Sequence, residues 1–396
     1  MVGARMDMQR VRDPHGHYRV TYVELFFDLV FVFAITQLSH GLLEHLTPLG
    51  ALQTALLFLA VWWVWIYTCW ITNWLDPERS PVRLMLLVLM LAGLVLSTSL
   101  PHAFEDKGLA FAGAYVFMQL GRSIFVAWAL RRHNAGNYRN FLRISAWLAV
   151  SGALWIAGGL AEEGTRLAFW GAAILIDFVS PSMGFWTPGL GRSTTADWDI
   201  EGGHMSERCA LFVIIALGES VLVTGATISN MQVSGPVLAA FIAAFVGSVA
   251  MWWIYFDAAV ERTSHSFAKS SDPGRVARLA YTYIHLPLIA GIVVTAVGDE
   301  LTLAHPDGHM ELKTAIVLIA GPGLYLFGDL LFRRATTGHF PRSHMFGIAA
   351  LLTLATVAML LTPVVLSGLV SGVLVVVAAS ESIWLRRERL RAPSAL

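Results

Sequence analysis

The chain has 396 residues, 56% hydrophobic and 14% charged, with a formal net charge of zero. A mean hydropathy of +0.63 leaves too little polar surface for a soluble domain of this length and points to a polytopic membrane protein. The two cysteines, Cys69 and Cys209, both sit in apolar segments, which excludes a disulfide framework and a cysteine metal site.

Apolar runs of about 20 residues are the unit of a membrane-spanning helix. Twelve are expected, at approximately 20–42, 49–72, 82–101, 108–130, 143–161, 166–187, 205–227, 235–258, 276–297, 313–332, 343–362 and 364–384. The fold class is therefore all-α. Residues 1–19 are polar and lack an apolar core for a cleavable signal, so the first span is expected to direct insertion.

Basic residues fix the expected orientation. With twelve spans, 22 of the 27 Lys and Arg fall in the N-terminus, the even-numbered loops and the C-terminus. The odd-numbered loops hold only Lys107, Arg166 and Lys313, and Arg122 and Arg208 lie within spans. The positive-inside rule then predicts cytoplasmic termini in a bacterial cytoplasmic membrane.

The two halves read as copies. Trp65-Ile66-Tyr67 closes the second span and Trp253-Ile254-Tyr255 the eighth. Asp76-Pro77-Glu78-Arg79 and Asp272-Pro273-Gly274-Arg275 follow in order, then Ala92-Gly93 and Ala290-Gly291, then Arg131-Arg132 and Arg333-Arg334. Six spans per copy is an even number, so the expectation is two parallel repeats, 20–190 and 205–384. A segment 1–19, a linker 191–204 and a basic tail 385–396 flank them, all expected in the cytoplasm.

The first span begins Val23-Glu24-Leu25-Phe26-Phe27-Asp28. Glu24 and Asp28 stand four apart, so a helix presents both on one face. A carboxylate at the bilayer centre costs roughly 2.5–3.5 kcal/mol, which demands a partner, a wet cavity or a bound proton. In the seventh span, Arg208 and Glu219 are eleven apart and share a face about 16 Å apart along the axis, with His204 joining at one end and Glu207 beside Arg208. Glu219 sits near mid-membrane beside Gly218, and the repeat predicts that it meets Glu24 in one site. Arg122 in the fourth span, Asp177 in the sixth and Asp329 in the tenth complete the leading candidates for ion or substrate binding. Buried Arg122 is expected to need a carboxylate, with Asp177, Asp28 or Glu219 as the choices. His285 is a secondary candidate for proton relay, and Asp257 and Glu381 read as interfacial. Among the tryptophans, Trp70 and Trp74 suit an interfacial belt, whereas Trp62, Trp63 and Trp65 lie deeper; Trp63 and Trp253 are secondary candidates for lining a site.

The stretch from Glu24 to Gln37, Glu207-Arg208 followed by Leu217-Gly218-Glu219-Ser220, and Trp252-Trp253-Ile254-Tyr255-Phe256 resemble the motifs of the bacterial low temperature requirement A family. The resemblance covers nearly the whole chain. It implies a multi-pass membrane protein of a family named for a cold-growth phenotype, and it assigns no chemistry.

Three function classes follow. A secondary transporter or proton-coupled carrier leads, on the strength of the repeats, the intramembrane charges and Gly218, Pro181, Pro287 and Pro322, near which broken helices are expected to free backbone groups for binding. A membrane sensor or stress-adaptation protein without turnover is the alternative. An intramembrane enzyme on a lipid-linked substrate comes last, since no zinc motif or aspartyl-protease signature is present, and no catalytic residue, metal or cofactor is expected. The partners expected are the bilayer and a small ion or small-molecule substrate, with no nucleic acid.

Overall fold

The computed structural model describes residues 8–10, 19–132, 134–198, 200–229, 231–258 and 272–391. Most of the expected N-terminal segment and the end of the basic tail lie outside these residues. The protein is 83% helix, and no strand forms among the described residues. That follows from composition: inside a bilayer only a helix satisfies its own backbone within one segment.

The first half contains α1 (Tyr22–Glu44), α2 (Pro48–Trp74), α3 (Ser80–Ser99), α4 (Gly108–Leu130), α5 (Ala135–Leu160) and α6 (Glu163–Val179). The second half contains α7 (Gly202–Ser229), α8 (Gly235–Ala258), α9 (Gly274–Ala304), α10 (Leu312–Thr337), α11 (Arg342–Leu360) and α12 (Pro363–Arg391). Eleven of these helices are long and apolar enough to cross a membrane. The exception is α6, a 17-residue helix where a span over 166–187 was expected. It stops because Pro181 has no N–H to continue the helical ladder, and Gly184 and Phe185 then take positive φ angles of 63° and 50°.

The chain divides into two compact units, residues 1–208 with 271–275, and 209–270 with 276–396. In the first, α1 packs on α2 and α3, α3 on α4, α4 on α5, α5 on α6, and α6 returns to α2. In the second, α9 and α10 form the closest pair, α8 packs on α12, and α11 lies against α10 and α12. Glycine explains the tightness of α9 on α10. A Cβ on Gly291 would stand 2.4 Å from the Tyr325 nitrogen, and one on Gly321 2.6 Å from the Thr295 nitrogen. Such close backbone approach replaces the hydrophobic drive that is missing between helices in lipid.

The expectation of broken helices holds at Pro181 and is corrected at the other three positions. α7 runs through Gly218, α9 through Pro287 and α10 through Pro322. In α9 the reason is local: a π-helical stretch, Ala277–Tyr283, widens the turn immediately before Pro287, where its ring would otherwise crowd the carbonyl four residues back. A second π-helical stretch, Phe117–Gly121, sits in α4 directly before Arg122.

Candidate functional site

The first unit gathers a buried polar cluster around the start of α1. Glu24 lies in the first turn, where a carboxylate can reach back to the preceding backbone, and its Oε2 accepts from the Thr21 N–H at 2.9 Å and hydroxyl at 2.8 Å. The same oxygen takes Arg10 Nη2 at 3.1 Å, while Oε1 meets His204 Nε2 at 2.9 Å. Asp28, one turn further in, accepts Trp65 Nε1 at 2.8 Å and Arg208 Nη2 at 2.7 Å on a single oxygen. Arg208 also stands 3.8 Å from Glu24 and faces the Trp65 ring at 5.8 Å. Glu24, Asp28, His204 and Arg208 are all at most 1% exposed. Two carboxylates therefore face two guanidiniums, so the cluster is electrically balanced with a neutral histidine.

The hydrogen bonds identify that histidine's tautomer. Asn73 Oδ1 accepts from the Glu201 N–H at 2.9 Å and its Nδ2 donates to the Glu201 carbonyl at 2.8 Å, which fixes the amide orientation. The same Nδ2 faces His204 Nδ1 at 3.3 Å, so Nδ1 accepts and Nε2 carries the proton towards Glu24. Glu207 turns away from this cluster; it is exposed and accepts from the Val20 N–H at 3.1 Å.

A second polar system crosses the first unit from α4 to α6. Arg122, 1% exposed, donates to the Val64 carbonyl at 2.9 Å, to Thr68 Oγ1 at 2.7 Å and to Gln119 Oε1. Gln119 Nε2 donates to the Tyr115 hydroxyl at 3.2 Å, and that hydroxyl donates to Asp177 Oδ2 at 2.8 Å. Trp155 Nε1 joins the same oxygen at 3.2 Å. The expected carboxylate partner of Arg122 is thus corrected. Carbonyl, hydroxyl and amide oxygens hold the guanidinium, and Asp177 connects to it only through Gln119 and Tyr115. Trp63 stacks on Phe178, next to Asp177, with ring centroids 4.0 Å apart.

The second unit has its own charge cluster. Asp329 Oδ2 accepts Arg333 Nε at 2.5 Å and His344 Nε2 at 2.6 Å. Arg333 also donates to Glu381 Oε2 at 3.0 Å and to the Ile254 carbonyl at 2.6 Å, and Ser343 closes on the other Glu381 oxygen. The interfacial reading of Glu381 is corrected, since it is 6% exposed and ion-paired. Nearby sequence alone did not single out Arg333 or His344 as site residues. The available signal was their spacing, because Arg333 lies four residues after Asp329, on the same face.

Asp299 was also missed, because the ninth span was expected to end two residues before it. It is buried on α9, and its Oδ2 accepts from Ser220 at 3.1 Å, with Ser248 3.0 Å from Ser220. Glu219 is buried beside it in sequence on α7. His285 is fully engaged: Nδ1 donates to the Ala280 carbonyl at 2.8 Å and Nε2 takes the Tyr255 hydroxyl at 3.0 Å. Asp257 and Trp253 are exposed and tie α8 to α12 through Ser382. His102, Glu105 and Asp106 form an exposed grouping with metal-compatible spacing, in which His102 and Glu105 already bond each other at 2.7 Å.

Taken together, six of the buried carboxylates fall into two kinds. Glu24 and Asp28 stand against two arginines, Arg10 and Arg208, whereas Asp329 and Glu381 share the single guanidinium of Arg333, with His344 beside Asp329. Asp177 and Asp299 are held by neutral hydroxyl and indole donors. In a low-dielectric setting the first kind has an arginine counter-ion, whereas the second requires a proton or a cation to be neutral.

The model of the family described as bacterial low temperature requirement A protein matches residues 19–379. An uncharacterised protein of Rhizobium meliloti (strain 1021) is 41% identical over 374 residues, which cover 94% of this chain and 91% of that protein. No solved structure matches the chain. With its multi-pass helices and a family match over almost its entire length, the chain belongs to the bacterial low temperature requirement A family.

Proposed function

We propose that the protein is a proton- or cation-coupled secondary transporter, serving adaptation to cold in the bacterial cytoplasmic membrane. In this reading the chain is two parallel six-helix repeats with both termini cytoplasmic, and α6 acts as a short sixth span. The observation that carries the reading is Asp177. Its carboxylate is buried among neutral donors at the end of a hydrogen-bonded chain through Tyr115 and Gln119 to Arg122. Every donor in that chain points towards the carboxylate, an arrangement suited to holding a charge that comes and goes with a bound proton or ion. Asp299, which accepts from the Ser220 hydroxyl, is a second carboxylate of the same kind. The repeat draws support from its loops, where Asp76 and Asp272 each accept a backbone N–H just ahead of the third helix of their half.

The arginine-paired clusters favour a second reading, a membrane sensor without turnover. Glu24 and Asp28 are ion-paired with Arg10 and Arg208, and the spans run unbroken through Gly218, Pro287 and Pro322. A flux measurement separates the two. Purified protein goes into liposomes containing a pH-sensitive dye, under an imposed proton, sodium or potassium gradient, beside Asp177→Asn, Glu219→Gln and empty vesicles. Transport predicts gradient-dependent flux in the wild type that Asp177→Asn abolishes. Wild-type traces that overlay empty vesicles for every ion overturn transport and leave the sensor.

A further inference from the structure

We propose that the first unit carries a binding pocket for a phosphate-bearing anion, separate from the buried carboxylates and independent of whether the protein transports. The pocket, about 730 Å³, opens at the basic end of the unit. That volume lies within the range of small-molecule sites and exceeds what one simple ion needs. Its lining brings together Arg10, Arg139 and Arg143 of α5, and Arg192, from three separate stretches of chain, against a single carboxylate, Asp197. Asp197 is already committed locally, accepting from the Thr194 N–H at 2.6 Å and its hydroxyl at 3.1 Å.

An orientation signal alone explains basic loops, but it does not require the arginines to converge on one hollow. Two features make this hollow a built site. Arg143 is pinned: Nε and Nη2 both donate to the Leu190 carbonyl, at 2.9 and 2.5 Å, and Nη1 to Asn140 Oδ1 at 2.7 Å. Its charge is thereby set in place without being neutralised. The first turn of the 26-residue helix α5 also borders the pocket at Gly136 and Asn137, adding the positive end of its dipole. Asparagine amides and guanidiniums together are the donor set that phosphate oxygens take, and arginine forks match them in pairs. Arg10 further links the pocket to the buried cluster, since its Nη2 holds Glu24 at 3.1 Å. An anion in the pocket and Glu24 would share that guanidinium.

The test uses the full chain. Lipid-free protein in detergent is titrated with pyrophosphate, read by thermal shift, at constant ionic strength with sodium chloride as reference. In parallel, protein in nanodiscs of phosphatidylcholine with or without phosphatidic acid is examined by native mass spectrometry for retained lipid. The variant is Arg139→Gln with Arg192→Gln, both exposed, and the charge-matched control is Arg132→Gln with Arg386→Gln, outside the pocket. Losing two of the four guanidiniums is expected to weaken binding at least about tenfold, with the control unchanged. Variant-sensitive pyrophosphate binding supports the site and a soluble source. Variant-sensitive retention of phosphatidic acid alone supports the site and a lipid headgroup. Binding that the variant leaves unchanged, that the control weakens equally, or that is absent in both arms overturns the proposal. Should the double variant fail to purify as a monodisperse species, Arg192→Gln alone carries the same comparison.

Discussion

Arg208 and Asp28 meet at 2.7 Å across 180 positions of sequence, with Trp65 donating to the same carboxylate oxygen. Both side chains are buried, so the pair is held together by the absence of water as much as by charge. Replacing one member of such a pair strands the other. Arg208→Met is expected to destabilise the protein by about 3–5 kcal/mol, read as a lowered melting temperature in detergent. Combining it with Asp28→Asn should recover part of that loss. Strictly additive effects would show that the pair is not coupled.

Trp65→Phe tests the third member of that contact. The phenyl ring is smaller than the indole and lacks its N–H, so the expected penalty joins a packing loss to about 1–3 kcal/mol from one under-satisfied buried carboxylate. In an Asp28→Asn background the same change should be milder. Equal penalties in both backgrounds would assign the effect to packing of the ring.

Tyr115→Phe cuts the chain from Arg122 to Asp177 while leaving the carboxylate intact. If coupling runs through Asp177, flux in liposomes should fall at least about tenfold in Tyr115→Phe, beside a stability loss of about 1–3 kcal/mol from the missing hydroxyl. Undiminished flux would remove the hydrogen-bonded chain from the mechanism.

The α9–α10 contact gives a prediction free of charge. Gly291→Ala must push a Cβ against the Tyr325 backbone and should cost about 1–3 kcal/mol. Gly41→Ala, with nothing within 4 Å of its added Cβ, should be neutral or stabilising. Similar melting temperatures for the two variants would mean that α9 and α10 separate readily.

Much of the candidate site was legible because helices repeat locally. Glu24 and Asp28 four apart already implied one polar face on α1, and the structure brings that face to Arg208 and His204. Asp177 and Arg122 were visible as charges inside apolar runs, but their link was not, since it passes through Gln119 and Tyr115, which carry no charge to mark them. Arg333 and His344 were not singled out as site residues, and Glu381 read as interfacial, because each lies near a span end, where a charged residue ordinarily reaches water.

The sequence by itself determined the membrane class, the helical content and the family, because these depend on properties summed along short windows: hydropathy, period and motif. Tertiary structure alone decided which carboxylates are paired with arginine and which are held by neutral donors. That distinction turns on which side chain a neighbouring helix presents within 3 Å, and helix packing joins residues as far apart as Asp28 and Arg208. It also decided that the arginines of the basic loops converge on one pocket, a convergence that no window of sequence contains.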